Sequence, residues 1–217
     1  MMSSKELEAL SHSEFWDERY AKADGDEPTH EWFRAFDALK PFFEKHLFNA
    51  REDKGKDQKL LHLGSGDSTI PYDLLERGYT NQLCIDFSAV LVENMKSKHA
   101  DKPQVEWTVG DVRNMVAIES KTVDVAFDKG TLDAMIHGSP WSPPDDVLDN
   151  TGRYINEVMR VLKDDGVFLY ITYRQPHFMK PLLNRANQWD LHMEVMGDGA
   201  SFEYFGFVLK KISSAAN

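Results

Sequence analysis

At 217 residues the chain has room for one α/β core with short additions and too little for a second full domain. Hydrophobic residues make up 41% and charged residues 28%, an ordinary globular balance, and no apolar run approaches the ~20 residues of a bilayer-spanning helix. The 36 acidic and 25 basic residues leave a net charge of -11, which repels phosphate backbones and welcomes a basic protein partner, although the same charge also suits plain solubility.

The first residues, Met1-Met2-Ser3-Ser4-Lys5-Glu6, lead into a polar stretch without the apolar core of a secretory signal, so a cytoplasmic location is expected. Ser11 and Glu14 have capping-box spacing ahead of Phe15-Trp16, and Trp32, Phe33, Phe36, Leu39 and Phe43 recur at helical intervals. Two helices are predicted before residue 58. The run Arg51-Glu52-Asp53-Lys54-Gly55-Lys56-Asp57 is charged and turn-prone and reads as a linker. Cys84, the only cysteine, rules out an internal disulfide and sits in an apolar stretch where a buried thiol is expected.

From Leu60 onward apolar runs alternate with helical segments, and residues 60–63, 83–87, 105–109, 123–127 and 167–172 read as strands of a parallel sheet joined by right-handed crossovers. Before the fifth strand, Ile155, Val158, Met159 and Leu162 mark one helical face, and Asp164-Asp165-Gly166 is expected to stop that helix. Residues 191–196 and 202–209 are extended runs joined by Gly197-Asp198-Gly199-Ala200, a β-hairpin signal. Five βα-type strands followed by an antiparallel hairpin are the element order of Rossmann-like methyltransferases, giving an α/β fold with a mostly parallel seven-stranded sheet. A nicotinamide-binding domain would continue with βα units.

The first strand runs into Gly64-Ser65-Gly66-Asp67-Ser68-Thr69-Ile70-Pro71, where two glycines allow a tight turn close to a ligand and Pro71 favours a helix start. A lone G-x-G is weak and is often a structural turn. Asp86, twenty residues after Gly66 at the end of the second strand, is placed to accept from both hydroxyls of a ribose, with Phe87 beside an adenine. It could instead cap the next helix, but Ser88 already offers that cap. Thr69 stands where a dinucleotide fingerprint needs a third glycine, which disfavours a pyrophosphate ligand and leaves S-adenosylmethionine. Asp111 and Val112, after the third strand, can read the adenine edge, or Asp111 can cap a turn. Asp128-Lys129-Gly130-Thr131-Leu132-Asp133-Ala134 lies at the carboxyl edge of the sheet, where open α/β folds gather ligands.

These segments in this order, together with Phe15-Trp16-Asp17-Glu18-Arg19-Tyr20, Glu31-Trp32-Phe33 and Pro176-His177-Phe178, resemble the seven-β-strand methyltransferase-like family that includes the elongation factor 1-alpha lysine methyltransferases. The D-K-G-T-L-D-A string is the most specific of them. The resemblance spans nearly the whole chain. It implies S-adenosylmethionine contacts from Trp16, Tyr20, Trp32, Gly64, Asp86, Phe87, Asp111, Val112 and Lys129, joined by Ser65 and Gly66 of the glycine loop. The three aromatics would otherwise be core packing, yet an aromatic face suits a sulfonium cation. His62 stands where the usual methyltransferase motif has an acidic residue, and Ser65 where the family's loop often has cysteine. A family sequence also occurs fused ahead of a peptidase. Here His30-Glu31-Trp32-Phe33-Arg34 lacks the second histidine of a zinc-protease helix, and no histidine spacing points to a metal.

The resemblance divides one methyltransferase domain into a helical cover and linker, residues 1–57, and a Rossmann-like core, residues 58–217. A lysine acceptor must lose a proton before it attacks, and Asp128 and Asp133 are the candidate carboxylates to assist, the alternative for each being to cap a helix or hold the loop. The Pro- and Trp-bearing segment 137–146 suits either a substrate-facing loop or a stiff surface excursion. Three function classes remain open: a protein-lysine methyltransferase acting on a basic protein, with elongation factor 1-alpha first; a small-molecule methyltransferase; and a non-catalytic adenosine-binding module. Neither nucleic acid nor membrane is expected as a partner. A monomer fits, although oligomeric state does not follow from the sequence.

Overall fold

The computed structural model describes residues 4–22, 31–197 and 203–212. Seven strands form one sheet in the order β3-β2-β1-β4-β5-β7-β6. They are β1 (Leu60–Leu63), β2 (Gln82–Asp86), β3 (Val105–Val109), β4 (Val123–Lys129), β5 (Leu162–Thr172), β6 (Trp189–Met196) and β7 (Tyr204–Lys211). The first five run parallel, and β7 lies antiparallel between β5 and β6. The chain winds outward from β1 to β3, then returns to start again at β4 beside β1. The carboxyl ends of β1 and β4 therefore splay their connections apart and leave a crevice, the usual ligand site of such sheets.

Central parallel strands are covered on both faces, which is why β1 is buried at every residue and β4 at all but Lys129. On one face α3 (Phe36–Phe43) sets Phe36, Leu39, Phe42 and Phe43 against Leu60, Val125, Phe127, Leu169 and Ile171. On the other, α7 (Asp145–Val161) packs Tyr154, Ile155 and Val158 with Phe168, Tyr170 and Phe207, and α8 (Pro176–Leu183) adds Met179 and Leu183. Further along the sheet, α4 (Ile70–Glu76) and α5 (Ala89–Lys98) meet around Tyr72, Leu91, Val92 and Trp107.

Several local expectations are corrected. Among the described residues the amino-terminal region holds α1 (Ser4–Ala9) and α2 (Ser13–Ala21) before α3, more helices than the two expected. Ser11 does not cap α2: its hydroxyl donates 2.8 Å to the Glu8 carbonyl, and His12 occupies the cap position. Trp32 and Phe33 precede α3. Arg34 N–H bonds the Trp32 carbonyl at 2.8 Å across Phe33, whose φ of 62° makes a γ-turn and no helix. A π-helical turn, Glu44–Asn49, extends α3.

The 51–57 segment is more than a tether. Arg51 is buried, its Nε donates to Gln58 Oε1 at 2.5 Å, and its Nη1 reaches the Asp165 carbonyl at 3.0 Å. The helix before β5 ends at Val161, and Asp164-Asp165-Gly166 belongs to β5. The pairings Val123 with Leu162 and Val125 with Val167 leave three extra residues on the β5 side, a bulge and no helix stop. The hairpin pairs from Trp189 with Lys211 to Met196 with Tyr204. Its turn beyond Gly197, through Asp198, Gly199 and Ala200, lies outside the described residues, as do Phe202 and His30.

Gly206 in β7 shows how closely α3 sits on the sheet. A Cβ there would lie 2.5 Å from the Phe42 ring and 2.8 Å from Met196 Sδ. Gly206→Ala is expected to lower the urea-unfolding free energy by about 1–3 kcal/mol, the usual cost of overpacking a core. An unchanged midpoint would show that α3 yields freely.

Candidate active site

A cavity of about 1210 Å³, counting its open mouth, lies at the carboxyl ends of β1 to β4. Its floor begins with the glycine loop. Gly64 and Gly66 hold φ of 57° and 56°, conformations that cost other residues energy. Space forbids a side chain as well, because a Cβ on Gly64 would stand 2.3 Å from Thr131 Oγ1 and one on Gly66 3.1 Å from the Tyr20 hydroxyl. Thr131 Oγ1 donates towards the Leu63 carbonyl at 2.7 Å and the Gly64 carbonyl at 3.0 Å, joining the loops after β1 and β4.

Asp86 ends β2, 5% exposed. Its Oδ2 accepts the Gly66 N–H and its Oδ1 the Ser88 N–H, each at 3.0 Å. Burial pushes this carboxyl up to about 6, against the pull of those two N–H donors. Ser88 caps α5 as expected, accepting Leu91 N–H at 3.2 Å, and also donates to Asp17 of α2 at 2.5 Å. Below the loop, buried His62 meets Gln82 Oε1 at 2.7 Å, and burial drives its pKa down to about 4, so it stays neutral at physiological pH. The departure from an acidic residue there thus adds no charge to the floor.

Asp111 accepts the Arg113 N–H at 2.8 Å and grips the Arg113 guanidinium, which Asn150 steadies at 3.0 Å. Burial opposes ionisation of Asp111, yet the Arg113 contacts together hold its carboxyl below the usual range. Val112 is buried beside it. Asp111 thus caps its turn, one of its two expected roles, and also borders the cavity.

The D-K-G-T string divides its labour. Asp128 is fully buried, accepts Thr131 N–H at 2.8 Å, Leu132 N–H at 3.0 Å and the Tyr154 hydroxyl at 2.7 Å, and does not border the cavity. Burial pushes it up to about 7. Asp133 does border the cavity, but its oxygens accept the Tyr170 and Thr172 hydroxyls, both at 2.6 Å, with Arg174 Nε 3.4 Å away. Burial raises its carboxyl too. Lys129 Nζ lies 2.6 Å from Glu31 Oε1 and donates to the Trp32 carbonyl, while burial lowers its pKa.

Glu31 is the residue that pattern reading missed. Its carboxylate also accepts the Ser68 hydroxyl at 2.9 Å and the Thr69 N–H at 3.1 Å, so one side chain clasps the amino-terminal segment to the glycine loop and to β4. No local signal marks it, because its three partners come from 37 or more residues away. Tyr173 and Arg174, after β5, also border the cavity without having been singled out, as does Phe33, which the sequence had placed in a helix with no role at the site.

The roof is aromatic. Trp16 stacks on Tyr20 at 5.9 Å, meets Trp32 edge-on at 6.0 Å, and anchors its own Nε1 to the Leu10 carbonyl at 2.8 Å. Phe33 packs against Gly130, where a Cβ would be 3.0 Å from its ring, and against Tyr173 at 5.3 Å. Trp16, Tyr20, Trp32, Gly64, Ser65, Gly66, Asp86, Phe87, Asp111, Val112 and Lys129 all border this one cavity. It therefore offers a buried carboxylate, backbone cradled by side-chain-free glycines, apolar walls and an aromatic roof. That donor set fits an adenosine carrying a cationic sulfonium.

The methyltransferase-domain family matches residues 61–170. With the sheet order and the terminal hairpin, this makes the chain a member of the class I S-adenosylmethionine-dependent methyltransferases, with S-adenosylmethionine as its methyl donor. It is similar to EEF1A lysine methyltransferase 4 of Bos taurus, 31% identical over 195 residues that make up 88% of this chain and 73% of that protein. The Mus musculus protein of the same name is 30% identical over equal shares. Among solved structures, a TehB-like methyltransferase from Corynebacterium glutamicum superposes with a TM-score of 0.58 at 17% identity, covering 93% of this chain and 99% of that one. A geranyl diphosphate C-methyltransferase from Streptomyces coelicolor, in complex with S-adenosyl-L-homocysteine, gives 0.57 at 16% identity, covering 81% and 77%. Among the described residues no cluster of His, Cys, Asp and Glu could hold a metal, and no helix is long and apolar enough to cross a membrane.

Glu31→Ala should loosen the roof and leave the sheet intact. Charged hydrogen bonds are worth about 1.5–3 kcal/mol each, so amide exchange in α2 should quicken about tenfold or more while β1 and β4 keep their protection. Unchanged exchange in α2 would show that the roof is held without this clasp.

Proposed function

We propose that this chain transfers a methyl group from S-adenosylmethionine to the ε-amine of a lysine on a folded, basic protein, with elongation factor 1-alpha as the first acceptor. The observation that carries this reading is the likeness to EEF1A lysine methyltransferase 4 over 88% of the chain. Relatives called eEF1A lysine and N-terminal methyltransferase point the same way; the Danio rerio protein is 32% identical over 80% of this chain and 23% of its own length. The net charge of -11 favours encounter with a basic surface.

In this reading one domain works in two parts, with residues 1–57 as cover and linker on the core of residues 58–217. Asp86 accepts from both ribose hydroxyls through the second lone pair of each oxygen, because its first pairs already hold Gly66 and Ser88. Phe87, Asp111 and Val112 flank the adenine, Gly64, Ser65 and Gly66 bring backbone close, and Trp16, Tyr20 and Trp32 cover the sulfonium and exclude water. The donor supplies an already activated methyl, so the protein's task is alignment and desolvation without a covalent intermediate. Lys129 acts by holding the roof through Glu31 and Trp32. Asp128 positions the loop from beneath. Asp133 is the carboxylate of the two that borders the cavity, and burial raises its proton affinity, so it is the group placed to accept the proton that the acceptor ammonium gives up.

The Asp86 role has a pH signature. Burial pushes its carboxyl up to about 6. The donor's hydroxyls bind the ionised form best, so affinity should weaken as pH falls through that value and level off above it. Asp86→Asn should flatten this dependence and weaken donor binding near neutral pH by tenfold or more, given ~1.5–3 kcal/mol per hydrogen bond to a charged group. Calorimetric titration across pH checks both. A wild-type affinity indifferent to pH, or an unweakened Asn variant, would remove Asp86 from the ribose.

The acceptor is tested by mass spectrometry of purified elongation factor 1-alpha after incubation with enzyme and donor. Added methyl mass on a lysine is expected. No methylated lysine, from an enzyme that demonstrably binds donor, would rule this acceptor out, and a labelled small metabolite in a lysate would redirect the assignment.

A further inference from the structure

Between α6 (Thr131–Ala134), at the cavity, and the start of α7, the chain makes an excursion that presents Trp141 with 81% of its surface exposed. A large indole left in water gives up the burial that stabilises most tryptophans, and tryptophan is among the residues most enriched at the energetic centres of interfaces. Here the residue also leans on other aromatic rings. Phe178 of α8 meets it edge-on at 4.8 Å and 87°, with the His177 ring at 6.0 Å. An isolated bridge between Ser139 and Ser142 closes the turn around Pro140 and Trp141. Pro143 and Pro144 stiffen its exit, and Gly138 turns with a φ of 73° where a Cβ would lie 2.9 Å from Pro144. A side chain fixed before binding loses little entropy on contact.

The turn leaves from Met135 and packs on a helix that begins just after Arg174, and both of those residues border the cavity. The exposed tryptophan is therefore carried on elements that start at the cavity itself. Beside it, the first turns of α7 expose Asp145, Asp146 and Asp149, with Asp146 2.8 Å from His137 and Asp149 3.8 Å from Arg153. The carboxylates alone would be explained by the positive end of the α7 dipole. That dipole gives no reason for an exposed, braced indole next to them. Together they match a cation that can lie over the indole face while its neighbours meet carboxylates.

We infer that the Trp141 turn and the acidic start of α7 form a docking surface for a lysine- or arginine-bearing segment of the protein acceptor, next to the lysine that enters the cavity. This rests on the protein-acceptor reading proposed above. The surface holds the acceptor; it takes no part in donor binding or in the transfer step.

The test compares wild type, Trp141→Ala and the double variant Asp145→Asn, Asp146→Asn in two assays. One is methylation of elongation factor 1-alpha, with donor affinity measured in parallel. The other is fluorescence-anisotropy binding of a labelled peptide of alternating lysine and glycine. Both variants should keep donor affinity and kcat, raise KM for elongation factor about tenfold, and weaken the peptide to a similar degree, more so at low salt. Equal KM values in all three proteins would overturn the docking surface and leave the acceptor assignment standing. If wild type methylates no lysine on elongation factor 1-alpha, that assignment fails, and the peptide decides the surface alone. Binding weakened by Trp141→Ala supports it, whereas absent wild-type binding or binding indifferent to the substitution overturns it.

Discussion

The cavity depends on a pair of backbone contacts to one carboxylate. Asp86 at the end of β2 accepts the Gly66 amide from the loop after β1 and the Ser88 amide at the start of α5. A buried carboxylate is costly unless its lone pairs are satisfied, and these amides satisfy it only if the glycine loop folds back over the strand end. The loop can do so because Gly64 and Gly66 adopt left-handed conformations and leave room for Thr131 and Tyr20. Position, charge and backbone shape at this edge are thus consequences of one another.

Around that centre the protein spends charged groups on geometry. Asp128 fastens the loop after β4 to α7 through Tyr154, Asp133 fastens it to β5 through Tyr170 and Thr172, and Glu31 fastens the roof to both neighbouring loops. Each tie joins elements that are distant in sequence and adjacent at the switch point of the sheet. A cavity assembled in this way is preorganised, and alignment with exclusion of water is what transfer from an activated methyl demands. Phe33 and Tyr173 border the same cavity beyond these ties.

Much of this was legible from residue pattern because parallel strands buried on both faces read as unbroken apolar runs. The segment 60–63 coincides with β1, buried at every residue; 105–109 coincides with β3, an edge strand legible from its alternation of buried and outward-facing residues, and the other strands differ mainly at their ends. The G-S-G loop, Asp86 and the D-K-G-T string could be placed because their spacing follows strand and turn geometry. The amino-terminal region misled for a physical reason. Its aromatics recur at helical intervals, yet Trp32 and Phe33 serve the cavity from a γ-turn, and the Ser11 hydroxyl finds the closer carbonyl of Glu8. The Asp164-Asp165-Gly166 run has the composition of a helix stop, but Arg51 and Lys54 recruit it into a bulged strand. Glu31 was invisible because its importance exists only after Ser68 and Lys129 have been brought beside it.

Whether this cavity holds the donor and Asp86 reads its ribose is decided by a crystal structure with S-adenosyl-L-homocysteine. The ligand is expected beneath Trp16, Tyr20 and Trp32, with both ribose hydroxyls within hydrogen-bond distance of the Asp86 carboxylate while Gly66 and Ser88 keep their bonds. A ligand seated elsewhere, or a ribose that turns away from an Asp86 still holding only those two amides, would contradict this assignment.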